Sequence, residues 1–220
     1  MSHELRTPLN AIIGFTGTLL MKLPGPITPD QEKQLKTVQG SSRHLLSLIN
    51  DLLDLAKIES GKVTLSPEPI SCRGLLEEVA AALRPAAEGK GLSFELLLPP
   101  PEVQVLADRR ALSQILINLT NNAIKFTEQG QIRLEVAAKA DDRRILEFRV
   151  TDTGIGIQAE DQAKLFEAFS RVNSAATRRR EGTGLGLHLS QKLAALMGGS
   201  IHFKSDYGEG STFWLSLPGQ

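Results

Sequence analysis

Near the amino terminus, one imidazole stands among groups that could prepare it for phosphoryl chemistry. His3 is followed directly by Glu4, and Thr7 lies four residues beyond His3. A neutral imidazole nitrogen can attack phosphorus in line, while a neighbouring carboxylate takes the other ring proton and holds the tautomer. Residues four apart share a helix face, so Thr7 is placed to orient water. We therefore assign His3 as candidate nucleophile, Glu4 as candidate base and Thr7 as an auxiliary, although such a pair alone is more often a solvated surface pair.

A second group of polar side chains has helical spacing, in the segment NLTNNAIKF at residues 118–126. Asn118 and Asn122 are four apart, so they share a face on which two amides could orient a divalent cation and its phosphates without adding charge. Lys125 follows one turn later, and Phe126 closes the segment. Surface or capping asparagines are the alternative interpretation.

The segment DTGIGI at residues 152–157 places one carboxylate beside two glycines, directly after a predicted strand. A carboxylate such as Asp152 can accept from the exocyclic amine of adenine. Gly154 and Gly156 would allow the backbone to approach a ring. A tight turn without a ligand is the alternative.

A third segment, GTGLGL at residues 182–187, runs straight into a predicted helix. Glycine-rich turns at helix N-termini bind phosphate through free N–H groups and the helix dipole. The segment follows Phe166, Phe169 and a polar stretch with arginines at residues 178–180, which predicts a mobile lid. The arginines themselves are interpreted as a solvated face, with phosphate contact by one of them as the alternative.

The elements that must position these residues follow from apolar periodicity and from turn residues. Thr28, Pro29 and Gln31 form a capping box that begins the second helix, and residues 60–61 end it. The predicted helices are residues 3–21, 29–59, 75–83, 109–126 (capped by Asp108) and 185–197, and the predicted strands are 92–98, 103–106, 131–139, 145–151, 200–204 and 212–217. Residues 140–143 would form the turn of a β-hairpin.

The pattern changes near residues 67–69, which divides the chain into a helical domain at 1–64 and a mixed domain at 65–220. The fold class is α+β, with the helices of the second domain on one face of a sheet. Two rows of residues seven apart give the second helix a broad apolar stripe: Val38, Leu45 and Leu52, and Ser42, Ile49 and Ala56. A hairpin cannot cover such a stripe alone, so we expect a homodimer whose two hairpins form a four-helix bundle. Packing of the hairpin on its own second domain is the alternative.

Composition limits the class of partner. With 25 Lys and Arg against 25 Asp and Glu, the formal net charge is zero, which gives no electrostatic case for nucleic acid or for an anionic membrane. No apolar run approaches the roughly 20 residues that a spanning helix needs. The single cysteine, Cys72, allows no internal disulfide and is interpreted as a buried thiol, which fits a reducing cytoplasm.

The segment HELRTPLN at residues 3–10, followed by the three segments above in this order, resembles the sensor histidine kinases of two-component signalling. The last segment, GEGST at residues 208–212, resembles the closing hairpin of the same family. The resemblance implies a dimerisation and phosphotransfer hairpin and an α/β-sandwich ATP-binding domain of the histidine kinase, gyrase and Hsp90 type, with ATP and Mg²⁺ as cofactors. By this resemblance Asn122 and Asn118 bind the metal, Lys125 the phosphates and Asp152 the adenine. The remaining implied pocket and lid residues are Phe126, Gly154, Gly156, Phe166, Phe169, Gly182, Thr183, Gly184, Leu185, Gly186, Leu187 and Thr212.

Three functions are consistent with these residues: a protein-histidine kinase that passes its phosphoryl group to an aspartate of a response-regulator receiver domain, an ATPase, and a signalling scaffold. The resemblance implies that ATPase relatives carry a glutamate where this chain has Asn118, which is a poor base. With His3 upstream, transfer is favoured over hydrolysis. Because the family's first helix begins well before its histidine, we expect a fragment, with sensor, transmembrane and linker segments preceding Met1.

Overall fold

The computed structural model describes residues 2–98, 103–139, 142, 144–170 and 183–219, apart from the side chains of residues 2 and 3. The helices are α1 (Ser2–Leu20), α2 (Pro29–Glu59), α3 (Cys72–Glu88), α4 (Arg109–Phe126), α5 (Ala159–Gln162) and α6 (Gly186–Leu196). The strands are β1 (Glu68–Ser71), β2 (Ser93–Leu97), β3 (Gln104–Ala107), β4 (Gln131–Ala138), β5 (Ile145–Asp152), β6 (Ser200–Asp206) and β7 (Gly210–Pro218). The predicted α+β fold, a helical hairpin followed by a mixed domain, is confirmed.

The start of α2 has the predicted capping box. The Thr28 hydroxyl accepts from the backbone N–H of Gln31 at 3.2 Å, and the Gln31 side chain accepts from the backbone N–H of Thr28 at 2.8 Å. Pro29 occupies the first helical position, where its missing N–H costs nothing. The helix ends at Ser60, and Gly61 follows with a φ of 65° that favours glycine.

The helical hairpin keeps an apolar face that its own chain does not cover. Arg6 of α1 donates to the side chain of Asn50 at 2.9 Å, which ties the two helices together, and Ser42 and Leu55 of α2 are buried. The large apolar side chains that remain exposed on the hairpin include Leu5, Ile12, Phe15, Val38, Leu45 and Leu52. One of the two predicted rows on α2 therefore faces outward along its length.

The second domain contains a five-stranded sheet in the order β2-β4-β5-β7-β6, in which β2 runs parallel to β4 and the other pairs are antiparallel. The predicted hairpin of β4 and β5 is confirmed, whereas residues 140, 141 and 143 of its predicted turn lie outside the described residues. Two short elements, β1 and α5, were not predicted. Pro69 within β1 argues against a central strand, and within the described part of the chain β1 pairs only with β3, in a separate two-stranded sheet.

Helices α3, α4 and α6 pack with one face of the sheet around a single buried core. The inward residues alternate along the strands, as in β4, where Ile132, Leu134 and Val136 are buried. The other side carries polar and aromatic groups, and there the Trp214 ring stacks on His202 with their centroids 5.5 Å apart. The predicted placement of the helices on one face is confirmed.

Helix α4 is fixed at both ends by side chains. Asp108 caps its start, as predicted, by accepting from the backbone N–H groups of Arg110 and Ala111 at 3.0 Å each. The same carboxylate accepts from the backbone N–H of Ser66, and these bonds lower the pKa of Asp108. At the other end, the Lys90 ammonium donates to the backbone carbonyl of Ile124 at 2.7 Å and to two neighbouring carbonyls. A cation at this end also complements the helix dipole.

We expect Lys90→Met to lower the free energy of unfolding by about 1 kcal/mol, because the last carbonyls of α4 lose a charged donor. The apolar stem of the side chain is kept, so lost packing contributes little. Denaturant unfolding of the purified protein measures the change. Lys204→Met, at an exposed position of β6, is the matched control and should be neutral. Equal effects of the two substitutions would count against the anchoring role of Lys90.

Candidate functional site

A cavity of about 670 Å³ lies where α4, α6 and the segment after β5 meet α2, a volume typical of sites for small molecules. The sequence-predicted residues that line it come from all three pocket segments. They are Asn118, Asn122, Lys125, Phe126, Asp152, Gly156, Thr183, Gly184, Gly186 and Leu187. Three segments that are separate in the chain, at 118–126, 152–157 and 182–187, thus converge on one site.

The two helical asparagines lie on the cavity side of α4. Asn118 donates through its amide nitrogen to the Ser190 hydroxyl of α6 at 2.9 Å. The amide oxygen of Asn118 faces Gly186 so closely that a Cβ at this glycine would collide with it. Asn122 lies one turn further along the same wall. Gly186 is therefore required where α6 crosses α4, because a larger residue would displace the asparagine from the cavity.

The donor set suits Mg²⁺ better than a metal that needs a protein cage. Within the described part of the chain, no cluster of three or more His, Cys, Asp or Glu side chains could hold a metal ion. Amide oxygens are hard ligands, and Mg²⁺ keeps several waters and uses substrate phosphates as further ligands. Asn118 and Asn122 therefore fit a metal that arrives together with a polyphosphate.

Asp152 provides a buried acceptor at the end of β5. Its residue is only 7% exposed, and the backbone N–H of Gly154 donates to one carboxylate oxygen at 2.8 Å. Burial raises the pKa of Asp152 to about 6, although hydrogen bonds from the backbone of Gly154 and Ser211 oppose the shift. Apolar side chains of Ile155 and Phe213 share the wall. A flat ring with a hydrogen-bond donor at its edge matches these surroundings.

Gly154 of the DTGIGI segment serves protein packing, which corrects the interpretation that it admits a ring, whereas Gly156 lines the cavity. A Cβ at Gly154 would lie 2.6 Å from the backbone carbonyl of Phe126, and Gly154 is not among the lining residues. Gly156 has a φ of 63° and sits against the backbone of Asp206. Both glycines therefore let the loop close onto the end of α4 and onto the turn between β6 and β7, and Gly156 also forms part of the cavity wall.

The described part of the GTGLGL segment, residues 183–187, bends into α6, which begins at Gly186. Leu185 is 1% exposed and belongs to the protein interior, so it anchors the turn without lining the cavity. Gly184 has a φ of 68°, and its carbonyl accepts from the backbone N–H of Phe169 at 3.0 Å. Gly182 and the arginines at residues 178–180 lie outside the described residues.

The two predicted lid phenylalanines lie beside the cavity and do not line it. The Phe166 ring packs against Phe203 with their centroids 6.0 Å apart, and its backbone carbonyl is 2.7 Å from the His188 ring nitrogen Nδ1. Phe169 is 61% exposed, whereas Leu165 and Ser170 reach the wall. The Phe166 ring and the backbone of Phe169 therefore hold the segment that precedes residue 171.

The prediction for Thr212 is off by one residue. Its hydroxyl pairs with that of Thr151 at 3.1 Å, on the side of the sheet away from the cavity. Ser211 lines the cavity, and it is the register partner of Asp152. Neighbouring residues of a strand point to opposite faces, so a one-residue error selects the wrong face.

Sequence reasoning missed the contribution of the helical hairpin to the wall. His44, Ser47 and Asp51 of α2 line the cavity, and the Thr183 hydroxyl donates to Asp51 at 3.2 Å. Burial is the largest cause of a raised pKa at Asp51. The available signal was the spacing of three, four and seven residues, which puts these three side chains on one face of α2. That signal was overlooked because the apolar rows dominate this helix.

The acceptor segment stands apart from the cavity. Glu4 and Thr7 are exposed on the first turns of α1 and are not among the lining residues, and the His3 side chain lies outside the described part. The structure therefore brings the pocket residues together but does not bring Glu4 or Thr7 to them. Transfer of a group from the cavity to α1 would require the domains to change their arrangement or a second chain to approach.

Family models match both parts of the chain. The model described as "Histidine kinase-, DNA gyrase B-, and HSP90-like ATPase" matches residues 107–220, and the "His Kinase A (phospho-acceptor) domain" matches residues 1–61. Among curated proteins, the signal transduction histidine-protein kinase BarA of Escherichia coli is 44% identical over 99% of this chain and 24% of its own length. The circadian input-output histidine kinase CikA of Synechococcus elongatus is 45% identical over 100% of this chain and 29% of its own. The chain thus spans about a quarter of the length of these relatives.

Solved structures have the same arrangement of elements. Full-length ShkA in complex with AMPPNP superposes with a TM-score of 0.80 and is 35% identical, covering 99% of this chain and 44% of that one. The Acinetobacter baumannii histidine kinase AdeS gives a TM-score of 0.68 at 25% identity, covering 99% of this chain and 98% of that one. Among the described helices, none has the length and apolar character needed to cross a membrane.

Proposed function

Because the chain belongs to the histidine kinase-, DNA gyrase B- and HSP90-like ATPases and carries a His Kinase A domain, we propose that it catalyses ATP-dependent phosphorylation of its own His3. The phosphoryl group then passes to an aspartate of a response-regulator receiver domain. The observation that carries the proposal is a single cavity that joins a buried carboxylate, two helical amides and a glycine turn. A phospho-acceptor domain precedes that cavity in the same chain.

ATP would occupy the cavity with its adenine at Asp152 and its phosphates toward α6. The buried carboxylate accepts from the exocyclic amine, and the apolar neighbours contact the ring faces. Lys125 and the backbone of the Gly184–Gly186 turn would receive the phosphates, since the first N–H groups of a helix lack intrahelical partners and favour anions. Asn122 and Asn118 would hold Mg²⁺, which supplies neutralisation of the phosphate charge when bound.

The proposed chemistry balances without another reactant. A ring nitrogen of His3 forms a bond to the γ-phosphorus as the bond from that phosphorus to the bridging oxygen breaks, and ADP leaves with the electron pair. Glu4 accepts the proton from the other ring nitrogen. In the second step a receiver carboxylate attacks phosphorus as the bond from phosphorus to the ring nitrogen breaks, and Glu4 returns its proton to the ring, which regenerates neutral His3.

Hydrolysis of ATP by water is the second candidate function, and the chemistry of Asn118 argues against it. Its amide nitrogen is committed to Ser190, and an amide cannot take a proton from water at neutral pH. A scaffold without catalysis is a third candidate. The pocket argues against it, because its described residues include the carboxylate, the two amides and the glycine turn that ATP binding requires. Both alternatives predict that no phosphoryl group remains on the protein.

We further propose a homodimer through the hairpin, a division into domains at 1–64 and 65–220, and action in the cytoplasm. The exposed apolar side chains on α1 and α2 support the dimer, because a second hairpin would remove them from water. The buried thiol of Cys72 is compatible with a reducing compartment.

The deciding experiment is incubation of the protein with γ-labelled ATP and Mg²⁺. We expect label that is lost in acid and kept in base, as for a phosphoramidate, and that moves to a receiver domain when one is added. Label that appears only as free phosphate would favour the ATPase. ATP binding without any label on the protein would favour the scaffold.

Thr7→Ala should keep autophosphorylation but slow the dephosphorylation of a phosphorylated receiver by at least about tenfold, because its hydroxyl orients water and is no base. Thr7 is exposed on α1, where a docked receiver could reach it. The initial rates of autophosphorylation and of receiver dephosphorylation, measured on the same preparation, show whether the two activities are affected differently. Thr7→Ser retains the hydroxyl and should behave like the unchanged protein. Equal loss of both activities in Thr7→Ala would count against this role.

A further inference from the structure

One face of α2 forms part of the wall of the nucleotide cavity, beside the glycine turn. His44, Ser47 and Asp51 lie on that face, and Asp51 is the residue that contacts Thr183. The hairpin therefore touches the part of the site that the proposed function gives to phosphate.

The hydrogen bonds of Thr183 have a fixed direction. The backbone N–H of Leu185 donates to the Thr183 hydroxyl at 3.1 Å, so that oxygen already accepts. Its single proton is then directed to Asp51, which can only accept when ionised. Asp51, Thr183 and Leu185 thus form a relay that ends in the backbone from which α6 starts.

The opposite side of the turn is held by the catalytic domain itself. The carbonyl of Gly184 accepts from the backbone N–H of Phe169, and a Cβ at Gly184 would lie 2.8 Å from the carbonyl of Ser170. The turn therefore has one support from its own domain and one from the hairpin. Removing either support leaves the phosphate-binding N–H groups less well oriented.

We propose that Asp51 is a positioning residue for phosphate binding: from the helical hairpin it holds Thr183, and through Thr183 it orients the glycine turn at the start of α6. This inference rests on the proposed binding of ATP in the cavity. In this proposal Asp51 acts through the backbone that binds the phosphates.

The negative charge of Asp51 has the opposite effect on phosphate binding. A carboxylate on the wall beside bound phosphates repels them, so its removal by itself would tighten ADP binding. Positioning and repulsion therefore predict changes of opposite sign in the same variant. Adenosine gives a second distinction, because it occupies the Asp152 end of the cavity and carries no phosphate.

The experiment compares ADP and adenosine affinities of Asp51→Ala, Thr183→Val and the double variant, measured by NMR titration with Mg²⁺ present. We expect each single variant to bind ADP about tenfold more weakly, the size of a lost hydrogen bond to a charged group. Adenosine affinity should stay within about twofold. The double variant should be no weaker than either single one, because both remove the same relay.

Two matched variants serve as controls. Thr183→Ser keeps the hydroxyl and should restore ADP affinity. Asp54→Asn, at a partly exposed carboxylate of α2 paired with Lys57, should bind ADP as the unchanged protein does. The inference is overturned if Asp51→Ala binds ADP equally well or better, if adenosine weakens in parallel, or if the two single effects add. An unchanged protein that binds neither ligand would overturn the proposed function and this inference with it.

Discussion

His3→Gln should incorporate no phosphate from ATP, while its affinity for ATP stays within about twofold of the unchanged protein. The amide of glutamine is a very poor nucleophile, because its nitrogen lone pair is delocalised into the carbonyl, and α1 is separate from the cavity wall. Incorporation of label measures the first quantity, and titration with a fluorescent nucleotide measures the second.

The other histidines provide the control for this prediction. His44 lies in the cavity wall, whereas His188 and His202 are engaged with Phe166 and Ser200. Of these, His44 is the strongest competitor, because a γ-phosphate in the cavity could be near it. His44→Gln should still be labelled. If His3→Gln still carries stable label and the double variant with His44→Gln carries none, the phosphate acceptor is His44 on α2.

Asn122→Ala should give the complementary result, losing at least about tenfold in affinity for Mg²⁺-ATP while keeping an intact acceptor. Mixing this variant with His3→Gln tests transfer between two chains. Label on the Asn122→Ala chain can then come only from the pocket of its partner. Unlabelled mixtures of otherwise dimeric protein would indicate transfer within one chain.

Asp152→Asn should weaken ADP binding by about tenfold to a hundredfold at pH 8, because a neutral acceptor replaces an ionised one at the adenine amine. The same substitution should stabilise the nucleotide-free protein at that pH. Burial raises the pKa of Asp152 to about 6 from 3.8, so the ionised side chain is disfavoured in the folded state. Replacing the ionised carboxylate with a neutral amide should therefore add on the order of 2–3 kcal/mol to the free energy of unfolding.

The pH dependence follows from the direction of this shift. A carboxyl group whose pKa is raised on folding contributes stability that is fully present below its unfolded value, near 3.8, and is lost as pH rises through about 6. Adenine binding favours the ionised form, so ADP affinity should fall below about pH 6, by at most about tenfold per pH unit. The ratio of affinities between the unchanged protein and Asp152→Asn isolates this group from the titration of ADP itself.

Asp206→Asn, at an exposed carboxylate of β6, is the matched control and should alter neither ADP affinity nor its pH dependence. A flat affinity ratio between pH 5 and pH 8, on the order of three pH units around the expected midpoint, would show that Asp152 does not titrate with binding. Unchanged ADP affinity in Asp152→Asn would remove this residue from the adenine site.

The features that can be predicted from the sequence are those that depend on residues close together in the chain. The capping box at Thr28 and the cap at Asp108 fix where two helices begin, and both depend on side chains within three residues of the backbone they satisfy. The asparagines of α4 were placed correctly relative to each other because helical spacing sets their face. These inferences need no knowledge of what the helix packs against.

The features that were missed depend on contacts between distant segments. Which face of β7 meets the cavity is set by its register with β5, so Thr212 was chosen where Ser211 lines the wall. The parallel pairing of β2 with β4 and the approach of Asp51 to Thr183 also join segments far apart in the chain. The periodicity of a single segment carries no information about which distant segment it pairs with. Strand β1 was missed for a different reason, because its proline argues against a strand.

The stacked Trp214 and His202 on the outer face of the sheet give the protein a built-in optical reporter. Trp214 is the chain's single tryptophan, and it lies on β7, four residues after the start of the strand that also carries Ser211. The helical hairpin contains neither tryptophan nor tyrosine. Emission from the indole therefore follows melting of the ATP-binding domain alone, whereas far-ultraviolet ellipticity reports the helices of both domains, including the long helices α1 and α2. Divergence of the two signals during heating would separate the melting of one domain from that of the other within a single unlabelled sample.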